Sequence, residues 1–125
     1  MYVKFNPNPC HKRVGDCTVR ALSKALDIPW ERAYMKLFTQ GLLMCDMPSS
    51  NAVYGAYLTE HGFVKELVPN TCPDCYTVKR FCEDHPTGTY ILATGSHVVC
   101  VIDGDYYDAW ESGDEVPILA FRKEQ

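Results

Sequence analysis

From Gly95 to Glu111 the chain reads GSHVVCVIDGDYYDAWE, two alternating runs joined at Asp103-Gly104. Asp-Gly between such runs is a strong local signal for a two-residue hairpin turn. With those two residues in the turn, Ile102 stands opposite Asp105, Cys100 opposite Tyr107 and Val98 opposite Ala109. Side chains alternate between faces along a strand, so His97, Val99 and Val101 share a face with Tyr106, Asp108 and Trp110. His97 and Asp108 are then diagonal neighbours, roughly 7 to 8 Å apart at the backbone and within reach of an imidazole.

Upstream the apolar spacing changes to that of helices. Asp16 is a suitable N-cap, and Val19, Leu22 and Leu26 recur at helical intervals in a segment that starts at Cys17 and ends before Pro29. A second helix is expected from about Pro29 to Leu43, with Ala33, Leu37, Phe38 and Leu42 as candidate buried residues. Residues 44 to 50 break the pattern, and a third helix runs from about Asn51 to His61, closed by Gly62. Phe63 to Pro69 predicts a short strand, Asn70 to Tyr76 a loop, and Thr77 to His85 a short helix stopped by Pro86. Thr89 to Thr94 has the unbroken apolar character of a buried strand, and Val116 to Arg122 predicts a last strand that Pro117 pushes toward an edge or a late start. Residues 1 to 15, with Asn6, Pro7, Asn8, Pro9 and Gly15, read as an extended arm and loop. Helices first and adjacent strands later predict an α+β fold, N-terminal helices packed on a C-terminal antiparallel sheet.

The length of 125 residues predicts one domain over 1–125. Hydrophobic residues at 46% and charged residues at 22% give ordinary globular usage, which makes disorder the wrong expectation. A net charge of -4, with only Lys12-Arg13 and Lys79-Arg80 as tight basic clusters, argues against nucleic acid as a partner. No segment approaches a membrane span and MYVKFNPNPC lacks a signal-peptide core, so a cytoplasmic location is expected. Seven cysteines, an odd number with no secretory signal, then predict reduced thiols used for packing, metal binding or nucleophilic chemistry.

Cys17 has the clearest activating surroundings among them. In the first helical turn, free backbone N–H groups and the macrodipole favour the thiolate. A carboxylate beside a histidine fixes its tautomer and favours its charged form, so His97 and Asp108 supply the base and orienter that a thiol nucleophile requires.

A helix-borne Cys17 followed by His97 and Asp108 on neighbouring strands resembles the papain-like cysteine peptidase superfamily. The resemblance rests on Gly15-Asp16-Cys17 and on Thr89 to about Ser112. It is similar most of all to small bacterial, often phage-borne members with a peptidase C39-like or transglutaminase-like arrangement. It implies a papain-like fold, Cys17 as nucleophile, His97 as general base and acid, Asp108 as orienter, a peptide or protein substrate, and no cofactor. Papain relatives carry a glutamine six residues before the cysteine as second oxyanion donor; His11 stands there, and Asn8 is an alternative slightly upstream. The Cys-Gly-Ser-Cys-Trp pattern of papain itself is missing.

Each residue also has a structural reading. Cys17 could be a small apolar helix residue, His97 a hydrogen-bonded strand end, and Asp108 an exposed hairpin residue. Cys72-Pro-Asp-Cys75 with Cys82 and His85 gives C-x2-C-x6-C-x2-H, which could hold zinc, act as a redox pair at Cys72 and Cys75, or serve packing. His61 reads as a helix C-terminal cation. The alternatives to a peptidase or amidase are therefore an inactive papain-like module that binds a partner protein, and a domain stabilised by zinc on that cluster. Tyr106, Trp110 and the loop from Asp46 to Ser50 are candidate cleft walls.

Overall fold

The computed structural model describes residues 1–124. Its elements in chain order are β1 (Tyr2–Lys4), α1 (Cys17–Leu26), α2 (Trp30–Met44), α3 (Asn51–Glu60), β2 (Phe63–Leu67), α4 (Val78–Asp84), β3 (Thr89–Ala93), β4 (Val98–Ile102), β5 (Asp105–Asp108) and β6 (Leu119–Lys123). The fold is α+β, around one six-stranded sheet in the order β1-β5-β4-β3-β6-β2.

The β4–β5 hairpin has the expected register, with Cys100 opposite Tyr107 and Ile102 opposite Asp105. Asp103 and Gly104 both have positive φ, the backbone of a type I′ turn whose twist matches that of the strands. Gly62 at φ 87° and Thr77, whose hydroxyl accepts from the Arg80 N–H, delimit α3 and α4 as their sequences predict.

Four expectations need correction. The sheet is mixed, because residues 2–4 of the presumed arm form β1 and pair in parallel with β5. A three-residue strand is too short to show alternation, so Tyr2-Val3-Lys4 gives no periodic signal. The helices also lie on both faces. Val19, Leu22, Leu37, Tyr54 and Leu58 from α1, α2 and α3 pack on Ile91, Val98, Cys100 and Phe121. On the other face, Val78, Phe81 and Cys82 of α4 pack on Leu92, Val99, Val101 and Tyr106.

Third, Phe38 and Leu42 are exposed. Only the stripe Ala33, Leu37, Gln40 and Gly41 of α2 is buried, and a residue one position off such a stripe is rotated by about 100° away from it. Fourth, Asp16 precedes α1 without capping it through its side chain, because its carboxylate is engaged elsewhere. The last strand begins at Leu119, after Pro117, which has no N–H for the ladder. No helix among the described residues is long and apolar enough to cross a membrane.

Candidate active site

Cys17 opens α1, where the helix leaves its first N–H groups without intrahelical partners. Helix α1 lies over the centre of the sheet, on the face that carries Val98 and Cys100. Its first residue thereby meets the start of β4. His97 is the residue just before that strand, and its N–H is held by the Thr94 hydroxyl at 3.0 Å, which fixes the Thr94–His97 turn.

His97 Nε2 donates to Asp108 Oδ2 at 2.6 Å. The two meet as the expected diagonal pair just beyond the last paired residues, Cys100 and Tyr107, but they reach α1, whereas Val99, Val101 and Tyr106, expected on the same face, pack with α4. Nδ1 is the ring nitrogen that Asp108 leaves free, and Cys17 lines the same cleft as the imidazole, close enough to shift its proton affinity. Burial pushes the Cys17 thiol up, but the bond with His97, the backbone N–H of Val98 and the charges of His97 and Arg20 outweigh it, so the thiol pKa is lowered. Burial alone would push His97 down, while its bonds to Asp108 and Cys17 raise it to about 9. The paired directions favour a thiolate beside an imidazolium.

Asp108 is 0% exposed and fully engaged. Oδ2 also accepts from the Ser112 hydroxyl at 2.6 Å, and Oδ1 accepts from the Ala109 N–H at 2.8 Å and from Arg20 Nη2 at 2.8 Å. Burial would raise this carboxyl, yet the His97 and Ser112 bonds and the charges of His97 and Arg20 hold it below its ordinary value. Its backbone is anchored from β1, where the Phe5 N–H and the Tyr2 hydroxyl donate to its carbonyl at 2.7 and 3.2 Å. The other guanidinium nitrogen of Arg20 donates to Asp16 Oδ1, and Trp30 Nε1 donates to Asp16 Oδ2 at 2.8 Å.

The sulfur and imidazole face an open cleft of about 440 Å³, lined by Arg13, Gly15, Cys17, Ser96, His97 and Trp110 among others. Trp110 is 39% exposed and tilts over His97 with ring centroids 4.7 Å apart, walling one side. Tyr106 is buried, with its hydroxyl on Glu111, and does not wall the cleft. Nor does the Asp46–Ser50 loop, which folds back on α2. An added Cβ on Gly41 would stand 2.8 Å from the Asp46 carbonyl oxygen, so only glycine allows that approach. A larger open groove of about 510 Å³ lies between α2 and α3 along Arg32, Met35, Gln40, Tyr57 and His61, without any of the three clustered residues. His61 there donates from Nδ1 to the Tyr57 carbonyl at 2.7 Å.

Neither Asn8 nor His11 lines the cleft. The Asn8 side chain accepts from the N–H groups of Cys10 and Lys12, which organises its own loop, and His11 is an exposed residue of that loop with φ 56°. The zinc arrangement is not assembled either. Cys72 and Cys75 form a disulfide, against the expectation of reduced thiols, in a turn that brings their Cα atoms to 4.1 Å. Cys82 faces the core, and His85 stacks on Phe81 while donating to its carbonyl at 2.8 Å. No group of three or more possible metal ligands is found among the described residues.

Arg20, Ser112 and Trp30 are the members of this network that the sequence pattern did not single out. The signal available for Arg20 was an arginine on the apolar side of an amphipathic helix, four residues after an aspartate. One further neighbour is Tyr54 of α3. Its hydroxyl is buried without a hydrogen-bond partner among the described residues, and its pKa is pushed up to about 12, first by burial and then by the charge of Cys17. An unsatisfied buried hydroxyl costs about 1–3 kcal/mol, so Tyr54→Phe is expected to leave stability unchanged or raise it by about 1 kcal/mol in urea unfolding. A loss of more than about 1 kcal/mol would show that the hydroxyl has a partner in solution.

No protein-family model matches this sequence, and no curated protein and no solved structure matches it either.

Proposed function

We propose that this chain is a papain-like thiol hydrolase, a cysteine peptidase or amidase that cleaves a peptide or isopeptide bond. The observation that carries this reading is that Cys17 and His97 share one cleft with Asp108 buried behind the imidazole, the thiol pKa lowered and the imidazole pKa raised. The Cys17 thiolate attacks the carbonyl carbon, and the tetrahedral oxyanion forms beside the Cys17 N–H. Imidazolium His97 gives its proton to the leaving amine as the C–N bond breaks, which leaves a thioester on Cys17. Neutral His97 then takes a proton from water, whose oxygen attacks the thioester and releases the acid and the thiolate. Asp108 occupies Nε2, which leaves Nδ1 as the nitrogen that exchanges the proton with the sulfur. Transfer of the acyl group to an amine uses the same residues, and product analysis separates the two outcomes.

The test begins with labelling. Near neutral pH, iodoacetamide is expected to modify Cys17 at least tenfold faster than the exposed thiols of Cys10 and Cys45, and His97→Ala is expected to remove that preference. Incubation with unfolded protein should then create new amino termini in the wild type and none with Cys17→Ala. Equal labelling of all three thiols would sink the proposal.

A further inference from the structure

We propose that Asp16 and Arg20 are positioning residues for this site. Arg20 clamps one oxygen of Asp108 so that the other stays on His97, and Asp16 offsets the arginine's charge so that the clamp does not draw Asp108 away from the imidazole. The inference rests on the thiol-hydrolase reading of Cys17, His97 and Asp108.

The geometry is specific. Arg20 is 5% exposed, and its two terminal nitrogens address two carboxylates, Asp16 Oδ1 and Asp108 Oδ1, from α1, the helix that carries the nucleophile. A planar guanidinium holds two carboxylates in a fixed relation, which an ammonium on a flexible stem does not. One side chain thus ties the helix that bears the sulfur directly to the carboxylate of the orienter. Trp30 Nε1 on Asp16 Oδ2 fixes the outer end of the chain at the start of α2.

The charges explain why a second carboxylate belongs there. Arg20 alone beside Asp108 would compete with the imidazolium for the same negative charge and favour neutral His97. A buried carboxylate on the far side of the guanidinium cancels that field while leaving the clamp in place. The groups around His97 and Asp108 are Asp16 just before α1, Cys17 and Arg20 of α1, Trp30 of α2 through Asp16, Tyr54 of α3 near the sulfur, Tyr2 of β1 on the Asp108 carbonyl, Ser112 and Trp110 beyond β5, and Arg13 across the cleft. Among them Asp16 is the carboxylate placed to offset Arg20.

The experiment compares Asp16→Asn, Arg20→Lys and the double variant Asp16→Asn/Arg20→Met with wild type and His97→Ala. It follows the His97 ring titration by NMR and the Cys17 alkylation rate against pH, neither of which requires a substrate. Far-UV circular dichroism confirms folding, which the double variant should retain because a buried ion pair replaced by neutral groups of similar size is often tolerated. Asp16→Asn keeps an acceptor for Trp30 but loses the charge, and His97 is expected to bind its proton at least threefold more weakly. The double variant should lose at least fivefold in Cys17 alkylation at pH 7, and Arg20→Lys should lose a similar amount although it keeps the charge. A folded double variant with the wild-type rate, or Asp16→Asn with wild-type His97 proton affinity, would overturn this inference alone. A His97→Ala protein as reactive at Cys17 as wild type would overturn the hydrolase reading and this inference with it.

Discussion

Asp108→Ala is expected to cost about 3–5 kcal/mol of stability as well as the reactivity of Cys17, the range for breaking a buried charge pair by removing one partner. Four donors converge on this carboxylate from His97, Arg20, Ser112 and the Ala109 N–H. Alanine leaves each of them to find another acceptor in a site with little solvent access. Urea unfolding measures the loss, and a change below about 1 kcal/mol would mean that water reaches these groups and that the buried network contributes little. Asparagine should not restore the site. Its NH2 group must oppose either Arg20 and the Ala109 N–H or His97 and Ser112, and all of these donate toward it. The arrangement that keeps Arg20 satisfied makes His97 accept at Nε2 and carry its proton on Nδ1, so a neutral imidazole can no longer act as base toward the sulfur. Asp108→Asn is therefore expected to recover much of the stability and little of the Cys17 alkylation rate.

In Cys17→Ala, stability is expected to fall as pH rises from about 6.5, by up to about 1.4 kcal/mol per pH unit, and more steeply than in wild type over the same interval. The folded protein holds its proton on His97, whose pKa is raised to about 9, and the lowered Cys17 pKa makes the folded thiol give up its proton at lower pH than the unfolded one does. The unfolded chain between about 6.5 and 8.5 has a neutral histidine and a protonated thiol. Wherever the folded thiol has lost a proton that the unfolded thiol keeps, its linkage slope opposes that of the histidine. The raised histidine contributes stability that is complete below its unfolded pKa and declines as pH rises toward the folded one. The lowered thiol contributes in the opposite sense. Replacing the thiol removes the opposing slope and part of what raises His97, so the decline steepens and ends below 9. Thermal unfolding across pH 6 to 9.5 reads the difference, and equal slopes in the two proteins would show that no thiolate–imidazolium pair forms. Hydrolysis by the wild type should decline above about pH 9, where the leaving amine loses its proton donor.

The residues at which strong local signals agree with tertiary contacts are the ones that the sequence reveals. Asp103-Gly104 permits one tight turn, and that turn sets the register that brings His97 beside Asp108. Cys17 follows from the start of a periodic helix. What the sequence hid is the work of tertiary contacts. Tyr2–Lys4 becomes a strand because β5 offers it an edge, and Phe38 and Leu42 face outward because α2 is buried along a narrower stripe than its composition suggests. Asp16 has the residue type of a cap but takes Arg20 and Trp30 as partners, a choice that only the packed helices define. The candidate donors Asn8 and His11 failed to reach the cleft for a related reason: the Asn8 side chain is used up in closing its own loop.

The distance along the chain between the sulfur and its partners affects how the protein is made. Cys17 leaves the ribosome long before β4 and β5 exist, and until they dock it lacks the imidazole and the Val98 N–H that lower its pKa. A nascent chain thus carries an ordinary thiol. The thiol acquires its lowered pKa only when the hairpin docks against α1, and β1, made first of all the strands, waits for β5 to supply its edge.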